Sequence, residues 1–151
     1  MTQYALLRRL RPTLLLVPLV FCGCKTEEPT YPVAGDVVYK DGEPVTEGLT
    51  IWFESTTSPY KRSVGLVDKN GKFYTSTLAD GSGSIEGEHR VRFDAGEPGS
   101  GIAGANALGS IMDAKYAEFA TSGIVVDVKP GSGNLFRIEV ERGPRGPKKK
   151  S

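Results

Sequence analysis

The side chains with chemistry to offer are few: one histidine, His89, two cysteines, Cys22 and Cys24, and the run Ser58-Pro59-Tyr60-Lys61. Ser-x-x-Lys is a spacing in which a lysine can activate a serine nucleophile, but that needs a helix start, and here the four residues fall in a loop between two strand-like segments. No Gly-x-Ser-x-Gly elbow is present. His89 alternates with Val91 and Phe93 on the inward side of a strand-like run, so a packed structural imidazole is expected there rather than a general base. One histidine and two cysteines near the N-terminus cannot assemble a transition-metal site. Asp68, Asn70 and Gly71 open like a calcium loop but lack the later oxygen ligands at the required spacing, and the segment reads as a hairpin turn. Gly81-Ser82-Gly83-Ser84 lacks the lysine of a phosphate loop and reads as a flexible connection. No catalytic, cofactor-binding or metal-ligating residue is therefore expected, and no cofactor.

The charge distribution says more than the total. The 151 residues carry 19 basic and 18 acidic side chains. Arg8, Arg9 and Arg11 lie at the start, and Arg142, Arg145, Lys148, Lys149 and Lys150 at the end. Removing these eight leaves 11 basic and 18 acidic residues from Lys25 to Glu141, a net charge of −7. An acidic body with a basic tail argues against a nucleic-acid face, which needs clustered cations on the domain itself.

Residues 1–24 are ordered as a signal peptide: cationic to Arg11, apolar from Thr13 to Phe21, then small. The apolar run is about half of the roughly 20 residues a spanning helix needs, and Pro18 interrupts it. Cys22 and Cys24 have one residue between them, which would strain a disulfide. The approach to Cys24 resembles the lipobox of bacterial lipoproteins, in which a small residue precedes a cysteine that is diacylated on sulfur and becomes the mature N-terminus. Gly23 fits, and Phe21 departs from the usual leucine. The resemblance implies lipidation at Cys24, membrane lipid as a partner, and an address in the bacterial cell envelope. By the family's sorting rules a residue other than Asp after the cysteine, here Lys25, is associated with the outer membrane where the cell has one. Residues 25–32 are too polar to pack and are expected to be a tether.

From Val33 the pattern alternates with period two between Gly, Pro, Asp and Asn breaks, the pattern of short half-buried strands. Val33, Gly35, Val37 and Tyr39 share one face of a first strand that ends at the Asp41-Gly42 turn. Leu49, Ile51 and Phe53 face inward from a second, with Trp52 pointing away, covered at an edge or exposed. Strands follow at 62–67, 72–78, around His89, Val91 and Phe93, at Ile124, Val126 and Val128, and at Phe136, Ile138 and Val140, with 129–134 as a turn. Seven strands and little helix predict an all-β, immunoglobulin-like sandwich. Residues 95–120 are long for a loop. Gly96 to Gly104 read as flexible, while Leu108, Ile111, Met112, Lys115 and Phe119 fall at helical spacing and predict one or two turns, either a lid or a binding loop.

The run Val-Ala-Gly-Asp-Val-Val-Tyr-Lys-Asp-Gly-Glu-Pro-Val, Val33 to Val45, resembles the opening of carboxypeptidase-regulatory-like domains, a transthyretin-like sandwich. Asp68 to Phe73 resembles the family's Asp-x-x-Gly-x-Phe hairpin, and Gly87 to Val91 its Gly-x-aromatic-x-Val strand, with His89 where an aromatic is usual. Ala114-Lys115-Tyr116 and Thr121-Ser122-Gly123 are similar to pieces of small bacterial lipoproteins built on this domain. The resemblance spans 33–141 and implies a non-catalytic structural or binding module whose partner is an envelope protein or glycan. The alternatives are an accessory subunit docking by a sheet edge, and an unrecognised hydrolase built on His89. The paired histidines and Tyr-Arg-Gly-Ser ending of transthyretin-like purine-pathway enzymes are absent. Residues 142–151 are expected to be a disordered basic tail, adding solubility or touching anionic lipid or cell-wall polymer.

Overall fold

A computed structural model describes residues 28–58, 60–77, 83–96 and 105–144. The expected export signal with Cys22 and Cys24, the first part of the expected tether, Pro59, residues 78–82, the glycine-rich 97–104 and residues 145–151 lie outside the described residues.

Every strand expected from the alternation is present. In chain order they are β2 (Val33–Tyr39), β3 (Leu49–Ser55), β4 (Arg62–Val67), β5 (Lys72–Thr77), β7 (Gly87–Ala95), β8 (Ile124–Val128) and β9 (Asn134–Val140), joined by two short strands, β1 (Thr30–Tyr31) and β6 (Ser84–Ile85). The protein is all-β. The seven long strands hydrogen-bond as one sheet, in the order β8-β7-β3-β4-β5-β2-β9, rather than as two separate ladders. Strand twist curls this sheet until β8 and β9 run close together, and it is nearly closed into a barrel. All neighbours are antiparallel except β2 and β9, which are parallel over seven consecutive pairs from Val33–Asn134 to Tyr39–Val140.

The period-two pattern sets the interior. Val33, Val37, Leu49, Ile51, Phe53, Val91, Phe93, Val128, Ile138 and Val140 are buried and form one core with Phe73, whose ring centroid lies 5.8 Å from that of Phe53. Burying each such side chain contributes about 1.5–3 kcal/mol. The turns behave as their residues require: Gly42 and Gly71 adopt positive φ of 86° and 75°. The Asp68 carboxylate accepts from the amides of Asn70 (2.8 Å) and Lys72 (2.9 Å), so this segment closes the β4–β5 hairpin on itself. In the 129–134 turn the Asn134 side chain accepts from the Lys129 amide and donates to the Lys129 carbonyl, holding both ends.

Residues 105–122 are a lid. One helical turn, α1 (Ala105–Leu108), and a 3-10 turn at Ala114–Ala117, capped by the Asp113 carboxylate, drop Leu108, Met112 and Tyr116 into the core. Removing this stretch would open the interior, so it is not a dispensable binding loop.

Three boundaries differ from the sequence reading. Thr30–Tyr31, expected in the tether, pair with Ser84–Ile85. Ser84, expected in a flexible connection, is buried and its hydroxyl meets that of Ser63. Arg142, expected to begin the disordered tail, is docked: its guanidinium lies 3.6 Å from the Tyr39 ring centroid and pairs with Asp41 and Glu43, while its backbone bridges to Met112. In each case a polar segment gains order from a partner far along the chain, which local periodicity does not record.

A tight contact sits where β2 meets β9. A side-chain carbon at Gly35 would lie 1.9 Å from the Phe136 carbonyl oxygen. Gly35→Ala must push the two strands apart, and is expected to lower stability by about 2 kcal/mol or more. Urea denaturation checks this, and an unchanged midpoint would show that the seam tolerates displacement.

Candidate binding face

The residues that suggested chemistry are scattered. His89 is only 1% exposed; its Nδ1 lies 2.9 Å from the Gly87 carbonyl oxygen, a distance that fits the Nδ1–H tautomer, and it sits opposite Ser55 and Val126 in the sheet. Burial pushes the imidazole pKa below its ordinary 6.5. The ring is a packing element of the barrel end that also holds Ser55, Ser63 and Ser84. Ser58 is exposed in the β3–β4 connection with Tyr60, and Asp68 is engaged in its own turn. Among the described residues, no group of three His, Cys, Asp or Glu side chains could hold a metal ion. None of their helices is long and apolar enough to cross a membrane. Cys24 lies outside the described residues.

What the fold does assemble is the outer face of the sheet, where the register turns residues far apart in sequence into rows across the strands. One row crosses six strands: Asp94, Thr50, Leu66, Tyr74, Ala34 and Leu135 stand successively opposite one another. Its β4-to-β9 half is apolar yet uncovered: Leu66 is 51% exposed, Tyr74 60% and Leu135 75%. The charged row Lys72–Asp36–Arg137 adjoins it on one side; on the other comes the row Arg92–Trp52–Val64, and beyond that a second row with a carboxylate between two cations, Arg90–Glu54–Arg62.

The Glu54 row belongs to a structural stack. Glu54 receives Nε (2.8 Å) and Nη2 (2.6 Å) of Arg62 and Nη2 of Arg90 (3.0 Å). Arg92 lies between the rings of Trp52 and Phe119, 5.3 Å from each centroid, and pairs with Asp94 at 2.7 Å. Arg62 also covers Phe119, at 5.6 Å. Trp52, whose outward position was legible, is thus half-buried under Arg92. Cation–π contacts of about 0.5–2 kcal/mol each pin the last part of the lid to the sheet. The Trp52 indole nitrogen is buried there and has no hydrogen-bond partner among the described residues.

The Asp36 row is open. Ala34, Gly35 and Asp36 on β2, Lys72 and Phe73 on β5, and Leu135 to Arg137 on β9 line a cleft of about 450 Å³. Lys72 Nζ pairs with Asp36 at 2.9 Å, and Arg137 reaches Glu139 at 3.9 Å. This cleft needs two-strand register, and no local motif in the sequence signals it; the only trace is Tyr74 and Leu135 at positions where the alternation calls for polar residues.

A separate polar network fastens the opposite edge of the lid. Glu141 pairs with Lys40 and Lys115, whose hydrogen bonds hold its carboxyl down to about 2. Tyr39, buried, donates to the Ile111 carbonyl at 3.2 Å, and desolvation followed by the charge of Glu47 pushes its phenol up to about 12. The motif pieces Ala114-Lys115-Tyr116 and Thr121-Ser122-Gly123 meet here, the Thr121 hydroxyl donating to the Lys115 carbonyl at 2.6 Å.

Two outcomes follow. Phe119→Ala is expected to speed amide hydrogen exchange within 117–122 while leaving the β3–β4 ladder protected; unchanged exchange would mean that the stack does not hold the lid. His89 is buried neutral, so protons bind the unfolded chain more readily. Its contribution leaves stability flat above the ordinary 6.5 and lowers it as pH falls below that value. Chemical denaturation between pH 7.5 and 5 should show a smaller acid loss for His89→Phe than for the parent chain.

Compared with known proteins, the chain matches no family model, no curated protein and no solved structure.

Proposed function

We propose that this chain is a lipid-anchored, non-catalytic module of the bacterial cell envelope that binds an envelope component through the outer face of its sheet. The observation that carries the binding reading is the apolar row of Leu66, Tyr74, Ala34 and Leu135, uncovered on the outer face of the sheet with the charged row of Lys72, Asp36 and Arg137 beside it. Exposed contiguous apolar residues rimmed by charge are a feature of interaction surfaces. The polar groups that could have served catalysis are used otherwise: His89 is packed, and Asp68 closes a turn.

The anchoring part rests on the order of charged, apolar and small residues before Cys24, and places the chain at a membrane surface, on the outer membrane where the cell has one. Two or more acyl chains hold a protein there stably. The reading as a transthyretin-like, carboxypeptidase-regulatory-like sandwich rests on the ordered motifs from Val33 to Val45, Asp68 to Phe73 and Gly87 to Val91. A curled seven-stranded sheet around one core is compatible with it. Docking as an accessory subunit by a sheet edge is the second reading, favoured by β8 and β9, each of which has a ladder neighbour on one side only.

Two measurements test the proposal. The intact mass of membrane-extracted protein should correspond to a chain beginning at an acylated Cys24, and a soluble, unacylated product would overturn the anchor. In a Cys24→Ala background, where lipid cannot carry the chain, Leu66→Lys with Leu135→Lys should abolish cosedimentation with purified envelope fragments at an unchanged melting temperature. Equal cosedimentation would remove the face from consideration.

A further inference from the structure

The uncovered part of the outer face is matched to itself, and on the reading of this face as a binding surface that names its partner. Beside the Phe119 stack, the strands β4, β5, β2 and β9 run uncovered, among the described residues, to the free edge of β9. Their ladders set two adjacent rows on this surface. One is Leu66, Tyr74, Ala34 and Leu135. The other starts at Asp68, whose amide bonds to the Lys72 carbonyl at 2.8 Å, and continues through Lys72, Asp36 and Arg137.

Both rows fit one symmetry operation. A twofold axis that lies in the plane of contact, runs along the strands and passes between β5 and β2 keeps each residue at its level. It exchanges β4 with β9 and β5 with β2. Leu66 then faces Leu135 of a second copy, and Tyr74 faces Ala34 of that copy. Packed sheets lie about 10 Å apart, so a tyrosine reaching across the gap needs a small residue opposite, whereas two leucines share the gap evenly. In the charged row Asp68 faces Arg137 of the second copy and Lys72 faces its Asp36, so every carboxylate meets a cation. Moving the axis onto β2 would set Asp36 against itself and Lys72 against Arg137. The match belongs to one position of the axis.

The charge balance favours the same partner. Within the chain Lys72 pairs with Asp36 and Arg137 with Glu139, all four partly exposed, so this part of the face is locally neutral. The body from Lys25 to Glu141 carries a net charge of −7, and two such bodies repel wherever acidic surface meets acidic surface. A neutral row beside exposed apolar side chains is where they can approach. The axis also fixes direction: because it runs along the strands, both copies enter β2 from the same side, as two copies anchored through Cys24 to one membrane require.

We infer that the open face of β4, β5, β2 and β9 binds a second copy of this chain, forming a twofold dimer in which Tyr74 of each copy rests on Ala34 of the other. A second copy is itself an envelope component, so the binding face gains a named partner. Anchoring confines both copies to a surface and raises their effective concentration, so a modest affinity in solution suffices.

Sedimentation equilibrium of the full chain carrying Cys22→Ala and Cys24→Ala, in density-matched detergent, tests this. A dimer is expected at about 100 μM. Ala34→Arg, which fills the place of the opposing tyrosine, should leave a monomer at an unchanged melting temperature. Tyr74→Ala should weaken association at least about tenfold, whereas Tyr60→Ala, at an exposed tyrosine in the β3–β4 connection, should not. The background holds no other cysteine. In it, chains with Leu66→Cys mixed with chains with Leu135→Cys should be joined by a bismaleimide with a two-carbon spacer. Either variant alone should not be, since its two thiols lie on opposing sheets and about 14 Å apart across the strands. A monomeric parent chain, a dimer indifferent to Ala34→Arg, or cross-linking of one variant alone as efficient as that of the mixture overturns the inference. Should the chain be monomeric while Leu66→Lys with Leu135→Lys still abolishes cosedimentation with envelope fragments, the face remains a binding surface and the second-copy assignment alone is wrong.

Discussion

The parallel pairing of β2 with β9 is the constraint on which the remaining structure turns. A sheet of antiparallel hairpins would have stopped at β2 on one side and β8 on the other, with its apolar face open to water. Laying β9 along the far side of β2 brings Ile138 and Val140 over the interior and carries the sheet round toward β8. The requirement for close approach is met at Gly35, the one residue of β2 that has no side chain to hold the Phe136 carbonyl away. The ends of the curled sheet are then sealed differently: apolar residues of the lid close one, and a buried set of hydroxyls with His89 fills the other.

The outer face divides its charged rows between two tasks. Around Glu54 and Arg92, charges are consumed by one another and by aromatic rings, and what they hold is the protein's own lid. Around Asp36 the same alternation of signs is left open beside exposed apolar residues. The difference arises from coverage: Phe119 crosses the β3–β4–β7 side of the sheet, and among the described residues nothing crosses the β5–β2–β9 side. Identical local chemistry thus has different consequences depending on what passes above it.

Much of this architecture was legible in the residues. Alternation located all seven long strands because half-burial imposes period two whatever the tertiary context, and Asp41-Gly42 and Asp68 to Gly71 marked their turns by backbone demand. His89 was read as interior for the same reason. The single continuous sheet was not legible, since the parallel β2–β9 pairing joins residues about a hundred apart. The same holds for Arg142, whose neighbours Tyr39, Asp41 and Glu43 lie at the other end of the sequence, and for the Thr30–Tyr31 pairing with Ser84–Ile85. The cleft depends on rows, and a row exists only once register is fixed. Tyr74 and Leu135 are apolar where the alternation calls for polar residues, but that they stand in one row follows only from the register of the strands between them.

The parallel alignment also decides how the barrel would answer a pull. The chain enters β2 at Val33 and leaves β9 at Val140, so the two exits lie at opposite ends of a pair of strands that run the same way. Tension applied between them is directed along the strands, and it loads the rungs of that ladder together in shear rather than peeling them one after another. With Arg142 clamped on Tyr39 just beyond the last rung, the load enters the sheet at a fixed point, and mechanical resistance is concentrated in the one interface that also keeps the interior dry.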